Sequence, residues 1–296
     1  MKAEGAFAAK REWLRHYLRT TLAEAAPITA DNVAVVEHVL MEAEVDAARE
    51  ALDEAGPPRW RPTPTRFAQQ AGTTCMSTSL ANGLVSLGEP ALEAEATRDE
   101  RVRRLVDDVV ARTSSFGKPG EYRSVDDLFK YLEPGRLREL DLGGGVRLEH
   151  DYRVRLTCAL LDVVEALWSG RGRLIVQRRA HAHLVFGLER QGGAWHVLVR
   201  DPMHAPGPAH GWLDLGELRR DYLWSPLKKL PRLMGPHAFP SLGAEALLGH
   251  LERYDGMENL GVECPSALLF RAQDAPPLFS PPAPAGAEAE EGGAGA

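Results

Sequence analysis

Apolar residues recur at helical spacing through the first part of the chain. Phe7, Trp13, Leu14, Tyr17, Leu18 and Leu22 predict a helix over residues 7–26, ended by Pro27. Val33, Val36, Val39, Leu40 and Val45 predict a second, from about Asp31 to Ala55. The stretch Gly56-Pro57-Pro58-Arg59-Trp60-Arg61-Pro62-Thr63-Pro64 then interrupts any regular element and reads as a linker. Helical patterning resumes after Thr73-Thr74, over about 75–87, with Leu80, Ala81, Leu84 and Leu87 apolar and Gly88 placed as a C-cap. Thr97 and Glu100 have capping-box spacing ahead of Val102, Leu105, Val106, Val109 and Val110. Ser124, with Asp126 and Asp127 behind it, starts a shorter helix that Pro134-Gly135 stop. A further helix is expected over about 157–168, ending at Gly170.

The periodicity then changes. Arg173–Gln177, His181–Gly187 and Trp195–Arg200 read as strands, with Gln191-Gly192-Gly193 as a hairpin turn and Asp201-Pro202 as a stop. Helices first and an antiparallel meander second define an α+β chain rather than a doubly wound one. A last helix is expected over about 243–254 and a strand over Ser266–Phe270. The organisation that follows is a helical extension at 1–55, a Pro-rich linker at 56–64, a main domain at 65–272 and a tail at 273–296. The tail is rich in Pro, Ala, Gly and Glu, cannot bury a core, and is expected to be disordered. The helical extension is expected to regulate the domain or aid recognition; the alternative is permanent packing on its back.

Bulk properties narrow the function. A chain of 296 residues with 44% hydrophobic and 26% charged residues can bury a core without cross-links. A net charge of -7 provides no general basic footprint, so nucleic acid is not an expected partner. No apolar run is long enough to span a membrane, and no signal-peptide core follows Met1. Cys75, Cys158 and Cys264 are far apart, lack zinc spacing and are odd in number, so a reducing cytoplasm is the expected compartment.

The segment Gln69-Gln70-Ala71-Gly72-Thr73-Thr74-Cys75 carries the sharpest chemical signal. A cysteine at a helix N-terminus has its thiolate stabilised by unpaired N–H groups and the helix dipole. The same N–H groups can hold an oxyanion on an attacked carbonyl. Gln69, with five residues between it and Cys75, can loop back as a second donor. A thiolate also needs a histidine partner, and that histidine an orienting acceptor. His181 opens one predicted strand and Asp201 closes the next, and an antiparallel pair brings such ends side by side. The bland alternative is a buried structural cysteine beginning an ordinary helix.

Taken together, these residues resemble the papain-like cysteine peptidases, closest to the bacteriocin-processing branch that cleaves at a double glycine. The resemblance covers about 65–225. It rests on Gln69 and Cys75, on Ser77-Thr78-Ser79-Leu80-Ala81-Asn82, on His181 through Gly187, on Asp201-Pro202, and on Trp212-Leu213-Asp214-Leu215-Gly216-Glu217-Leu218. Met76-Ser77 stand where that family commonly has Gly-Pro. The resemblance implies a papain-like fold and a peptide or protein substrate cleaved through a thioester acyl-enzyme. Cys75 is then the nucleophile, His181 the base, Asp201 its orienting group and Gln69 an oxyanion donor, with no cofactor. The same fold also serves transamidases, deamidases, acyltransferases and non-catalytic peptide-binding modules.

His183 is the alternative base. It has the same parity as His181 on the strand, but Gly187 stands six positions after His181, the family's spacing. His181-x-His183, with His196, His204 and His210, also raises a metal site. Carboxylate or cysteine ligands at firm spacing are missing from that pattern, so none is expected. Gly143-Gly144-Gly145 lacks a P-loop Lys-Ser/Thr, and no Gly-x-Ser-x-Gly elbow occurs. Cys158 reads as core, and Cys264, before Pro265, has no base assigned to it.

Overall fold

The computed structural model describes residues 30–59, 67–72, 74–89, 92, 98–113, 136–137, 147–157, 159–178, 181–207, 210–223 and 267–271. The expected helices at 7–26, after Ser124 and at 243–254, the tail, and both Cys158 and Cys264 lie outside them. In chain order the elements are α1 (Ala30–Ala55), α2 (Cys75–Ser86), α3 (Arg98–Thr113), β1 (Arg136–Leu137), β2 (Tyr152–Leu156), α4 (Leu160–Trp168), β3 (Gly172–Arg178), β4 (His181–Gln191), β5 (Ala194–Arg200), β6 (Gly211–Asp214), α5 (Leu215–Asp221) and β7 (Ala267–Arg271). No helix among the described residues is long and apolar enough to cross a membrane.

The strands form one antiparallel sheet in the order β1-β2-β7-β3-β4-β5-β6. From β3 to β5 it is the expected meander, which β6, not marked by patterning, extends by one strand. The β4–β5 hairpin turns on Gly192 and Gly193, whose φ values of 56° and 88° suit a two-residue turn with both central residues left-handed. The expected strand near the chain's end, β7, enters the middle of the sheet, between β2 and β3. Sequence patterning did not mark β2, which is short and carries Arg at alternate positions. Its Tyr152 and Val154 point inward. The helix expected from 157 starts later, at Leu160, because Thr157 makes a local turn: its hydroxyl accepts from Ala159 N and donates to Asp162 Oδ2.

Helices cover both sheet faces, and strand parity shows which side chain faces which. Ile175 and Ala182 belong to a core shared with Leu80, Leu84 and Val85 of α2 and with Val102, Leu105 and Val106 of α3. Their neighbours Leu174, Val176 and Val185 belong to a second core, with Val45, Ala48 and Leu52 of α1, Leu160, Val163 and Leu167 of α4, and Leu215 and Leu218 of α5. A small apolar cluster of Phe67, Leu184, Phe186 and Leu198 closes the rim. A buried side chain holds the end of α2 in place. Buried Arg173 donates from Nη2 to Ser86 O at 2.7 Å and from Nε to Ser86 Oγ at 2.9 Å, capping the helix's last turn. Burial pushes the Arg173 guanidinium down to about 9.

Helix α1 is built into this core. Glu44 is buried; its Oε1 accepts from Leu160 N and its Oε2 from Arg219 Nε, each at 2.5 Å. The linker's first residues are tied down too, with Arg59 N donating to Trp168 O at 3.0 Å and Trp168 Nε1 to Gly56 O at 3.1 Å. Of the two readings of the N-terminal helical segment, residues 30–55 follow the packed one. The apolar stripe of α1 is long enough to cover α4, and Glu44 neutralises an arginine that has no route to water.

Candidate active site

Cys75 is the first residue of α2 and is half-buried against the α2–α3 core. It is a free thiol. Thr74 occupies the N-cap position, but its hydroxyl is turned back to Ala71, accepting from Ala71 N at 3.2 Å and donating to Ala71 O at 2.9 Å. No side chain caps the helix, so its first amides keep their donor capacity beside the thiol. The approach to Cys75 is clamped by Asn82, about two turns into α2: Ala68 N donates to Asn82 Oδ1 at 2.8 Å and Asn82 Nδ2 to Ala68 O at 3.1 Å.

The same approach segment is bonded to the loop that follows β5. Phe67 and Gly207 exchange two backbone hydrogen bonds, Gln70 N donates to Pro202 O at 2.8 Å, and Gln69 Nε2 donates to Met203 O at 2.9 Å. Gln69 is exposed, and the one carboxamide hydrogen bond it makes goes to this loop rather than toward Cys75. Asp201 opens the loop. Its Oδ1 accepts from Met203 N at 2.8 Å and from His181 Nε2 at 2.8 Å. Burial alone would raise the Asp201 carboxyl. The hydrogen bonds from His181 and Met203, with the two nearby imidazoles, outweigh it and hold the group below the usual carboxylate range.

A carboxylate only accepts, so the His181 proton facing it sits on Nε2. A neutral His181 then has its lone pair on Nδ1, the nitrogen left to act as a base. His181 is the first residue of β4 and stands at the rim of the sheet. His183 lies two residues on, on the same face, with its ring 4.6 Å from that of His181 and 5.8 Å from Tyr222. Its Nε2 is 3.8 Å from Asp201 Oδ2, too far for a hydrogen bond, and its Nδ1 is buried without a partner.

His181, His183 and Asp201 are thus brought together. Cys75 is joined to their neighbourhood through the backbone of 67–71, but no hydrogen bond links its Sγ to either imidazole. Ala182, between the two histidines, packs on the α2 side of the sheet, while both rings share the face of Val176 and Val185. Patterning did not identify three supporting residues. Asn82 clamps the approach segment. Arg200 donates from Nη2 to His204 O at 3.0 Å and Ala205 O at 2.6 Å, bracing the Asp201 loop from inside. Tyr222 covers His183. Arg200 had a visible signal, a charged residue ending the otherwise apolar run Val197-Leu198-Val199, and Asn82 closes the small-residue segment 77–82 on which the resemblance partly rests. A separate cavity of about 710 Å³, bordered by Pro57, Pro58, Trp195, His210 and Trp212, shares no residue with this constellation.

Burial, then the nearby charge of His181, pushes the His183 imidazole down to about 4. Its folded value is therefore below its unfolded one, near 6.5. Between those values the unfolded chain binds the extra proton. Stability from this group is full above about pH 6.5 and falls as pH drops toward 4. Thermal melts of the native chain from pH 7 to pH 4 should show this decline, and His183→Gln should flatten its upper part. An unchanged slope in that variant would assign the decline to other groups.

No family model matches the chain, and no curated protein or solved structure is significantly similar to it.

Proposed function

We propose that this chain is a cysteine peptidase with a papain-like arrangement, cleaving peptide or protein substrates through a thioester acyl-enzyme. One observation carries the reading. Asp201, bonded to His181 at 2.8 Å, opens a loop that is bonded directly to the segment delivering Cys75 at an uncapped helix N-terminus. The reading requires the His181 ring, which stands at the rim of the sheet on the face of Val176, to turn toward the α2 side and Cys75 when substrate binds.

The steps follow from the groups present. His181 Nδ1 takes the Cys75 thiol proton, and Asp201 keeps the imidazolium oriented and compensated. The thiolate attacks the substrate carbonyl, and the free amides at the start of α2 receive the developing oxyanion. Gln69 joins them if substrate draws its carboxamide from Met203. His181 returns its proton to the leaving amine. Water, activated by the same imidazole, then hydrolyses the thioester. A free thiol at the centre of this chemistry suits a reducing compartment such as the cytoplasm.

Limited iodoacetamide treatment near neutral pH, followed by mass mapping, tests the first step. Cys75 should be alkylated well before Cys158 and Cys264. Equal labelling of all three would remove the basis for a selectively activated Cys75. In a turnover assay, free acid products indicate hydrolysis, whereas transfer to an added amine would reassign the chain to acyl transfer.

A further inference from the structure

The His183 side chain is not explained by the peptidase reading. It is largely buried, it makes no hydrogen bond, and its Nε2 is directed at the outer oxygen of a carboxylate already bonded to His181. Buried polar nitrogens without partners are uncommon and call for a missing water or ion. Here the surrounding atoms are chemically specific. The two imidazoles and the carboxylate each offer one ligand atom, and these atoms lie within 4.8 Å of one another.

We propose that His181, His183 and Asp201 form a binding site for a divalent transition metal of the zinc class. Zinc bonds of ~2.0–2.2 Å at a tetrahedral angle put neighbouring ligand atoms about 3.3 Å apart. The observed distances, 2.8 Å from His181 Nε2 to Asp201 Oδ1 and 3.8 Å from His183 Nε2 to Asp201 Oδ2, lie on either side of that spacing but involve the two carboxylate oxygens, and with one oxygen serving both rings the ligand atoms lie within 4.8 Å. Small side-chain rotations can therefore close the set. Two imidazoles and one carboxylate favour zinc and its first-row neighbours over magnesium or calcium. Three protein ligands leave a fourth position for water. The set is preorganised from both ends, with β4 fixing the i, i+2 spacing of the histidines and the Met203 amide and Arg200 holding the loop of Asp201. The metal gives His183 Nε2 a partner where only a 3.8 Å approach to Asp201 Oδ2 now exists, and leaves the buried Nδ1 as it is.

A consequence rests on the peptidase reading. The ion takes the Asp201 carboxylate and the Nε2 position of His181, which are the groups that orient the base. Zinc therefore inhibits the thiol chemistry reversibly, and occupancy of the site switches the enzyme off.

The test is zinc titration of the full chain, stripped with a chelator, against a chromophoric competing chelator. One ion per chain is expected. His183→Gln and Asp201→Asn should each weaken binding by at least about tenfold, the low end of what a disturbed metal site loses. Cys75→Ala should bind zinc as the unaltered chain does. Unweakened binding in His183→Gln, or lost binding in Cys75→Ala, would overturn the site. Cobalt(II) provides a second reading on the unaltered chain, independent of how the variants fold. Ligand-field bands without a thiolate charge-transfer band support the site, and a thiolate band overturns it. Zinc that binds as expected but leaves Cys75 alkylation unchanged would overturn the inhibitory role alone. The binding arms do not depend on turnover, so failure of the peptidase reading leaves them interpretable.

Discussion

Cys75→Ala is expected to abolish peptide turnover, by on the order of 10⁴-fold or more, while leaving the fold intact. The loss is large because nucleophile, base and orienting acid act as a unit, so removing the sulfur removes the covalent route altogether. The fold survives because Cys75 is only half-buried, at the edge of its core, and α2 is held elsewhere. Asn82 still clamps residue 68, and Arg173 still caps Ser86. His181→Ala should approach the same loss and also slow Cys75 alkylation. His183→Ala should act mainly through lower thermal stability, since its ring packs beneath Tyr222. Asp201→Asn should leave partial activity, because the carboxylate orients and does not react. The measurements are turnover of a quenched peptide library, together with a melting curve for each variant. Full activity in folded Cys75→Ala would move the chemistry elsewhere. The reverse pattern for the two histidines would make His183 the base.

A chain beginning at Pro62 is expected not to fold. Removing α1 strips Val45, Ala48 and Leu52 from the core they share with α4, and each buried aliphatic larger than Ala is worth about 1.5–3 kcal/mol. It also leaves Arg219 buried without Glu44, a fault that typically costs about 3–5 kcal/mol by itself. Together these losses are comparable with the whole stability of an ordinary domain, about 5–15 kcal/mol. Glu44→Ala alone should lower the urea midpoint strongly, and the Glu44→Ala, Arg219→Met pair should recover part of it by removing the buried charge that Glu44 balances. Urea unfolding followed by circular dichroism checks both. A soluble, cooperatively folding chain from Pro62 would show that α1 is an appendage after all.

Local features were legible wherever one residue type solves one local problem. The helix at 75–87 is seen at Cys75–Ser86, with Gly88 at φ 71° just beyond it, because its apolar spacing and its stop are both local. The strand starting at His181, the Gly192-Gly193 turn and the stop at Asp201-Pro202 are local in the same way. Tight coupling of His181 to Asp201 follows from the hairpin between them, whose register pairs Arg200 with Leu184 and so returns Asp201 beside the first residues of β4. β2 was missed although Tyr152-Arg153-Val154-Arg155-Leu156 alternates apolar and polar as a half-buried strand does.

The metal set shows the limit most clearly. The His181-x-His183 pair was visible along the chain, but its carboxylate was not, because Asp201 reaches both rings across the sheet rather than at a sequence spacing. Sequence alone determined the α+β class, the helix that begins at Cys75, and the three polar residues worth following: Cys75, His181 and Asp201. Tertiary structure alone decided that α1 belongs to the core, that β7 enters mid-sheet, that Gln69 bonds to the Asp201 loop, and that His183 is buried beside His181 without a hydrogen-bond partner. The physical reason is range. Periodicity, capping and turn chemistry act over a few residues, whereas burial, ion pairing and side-chain convergence are settled by which distant surfaces meet.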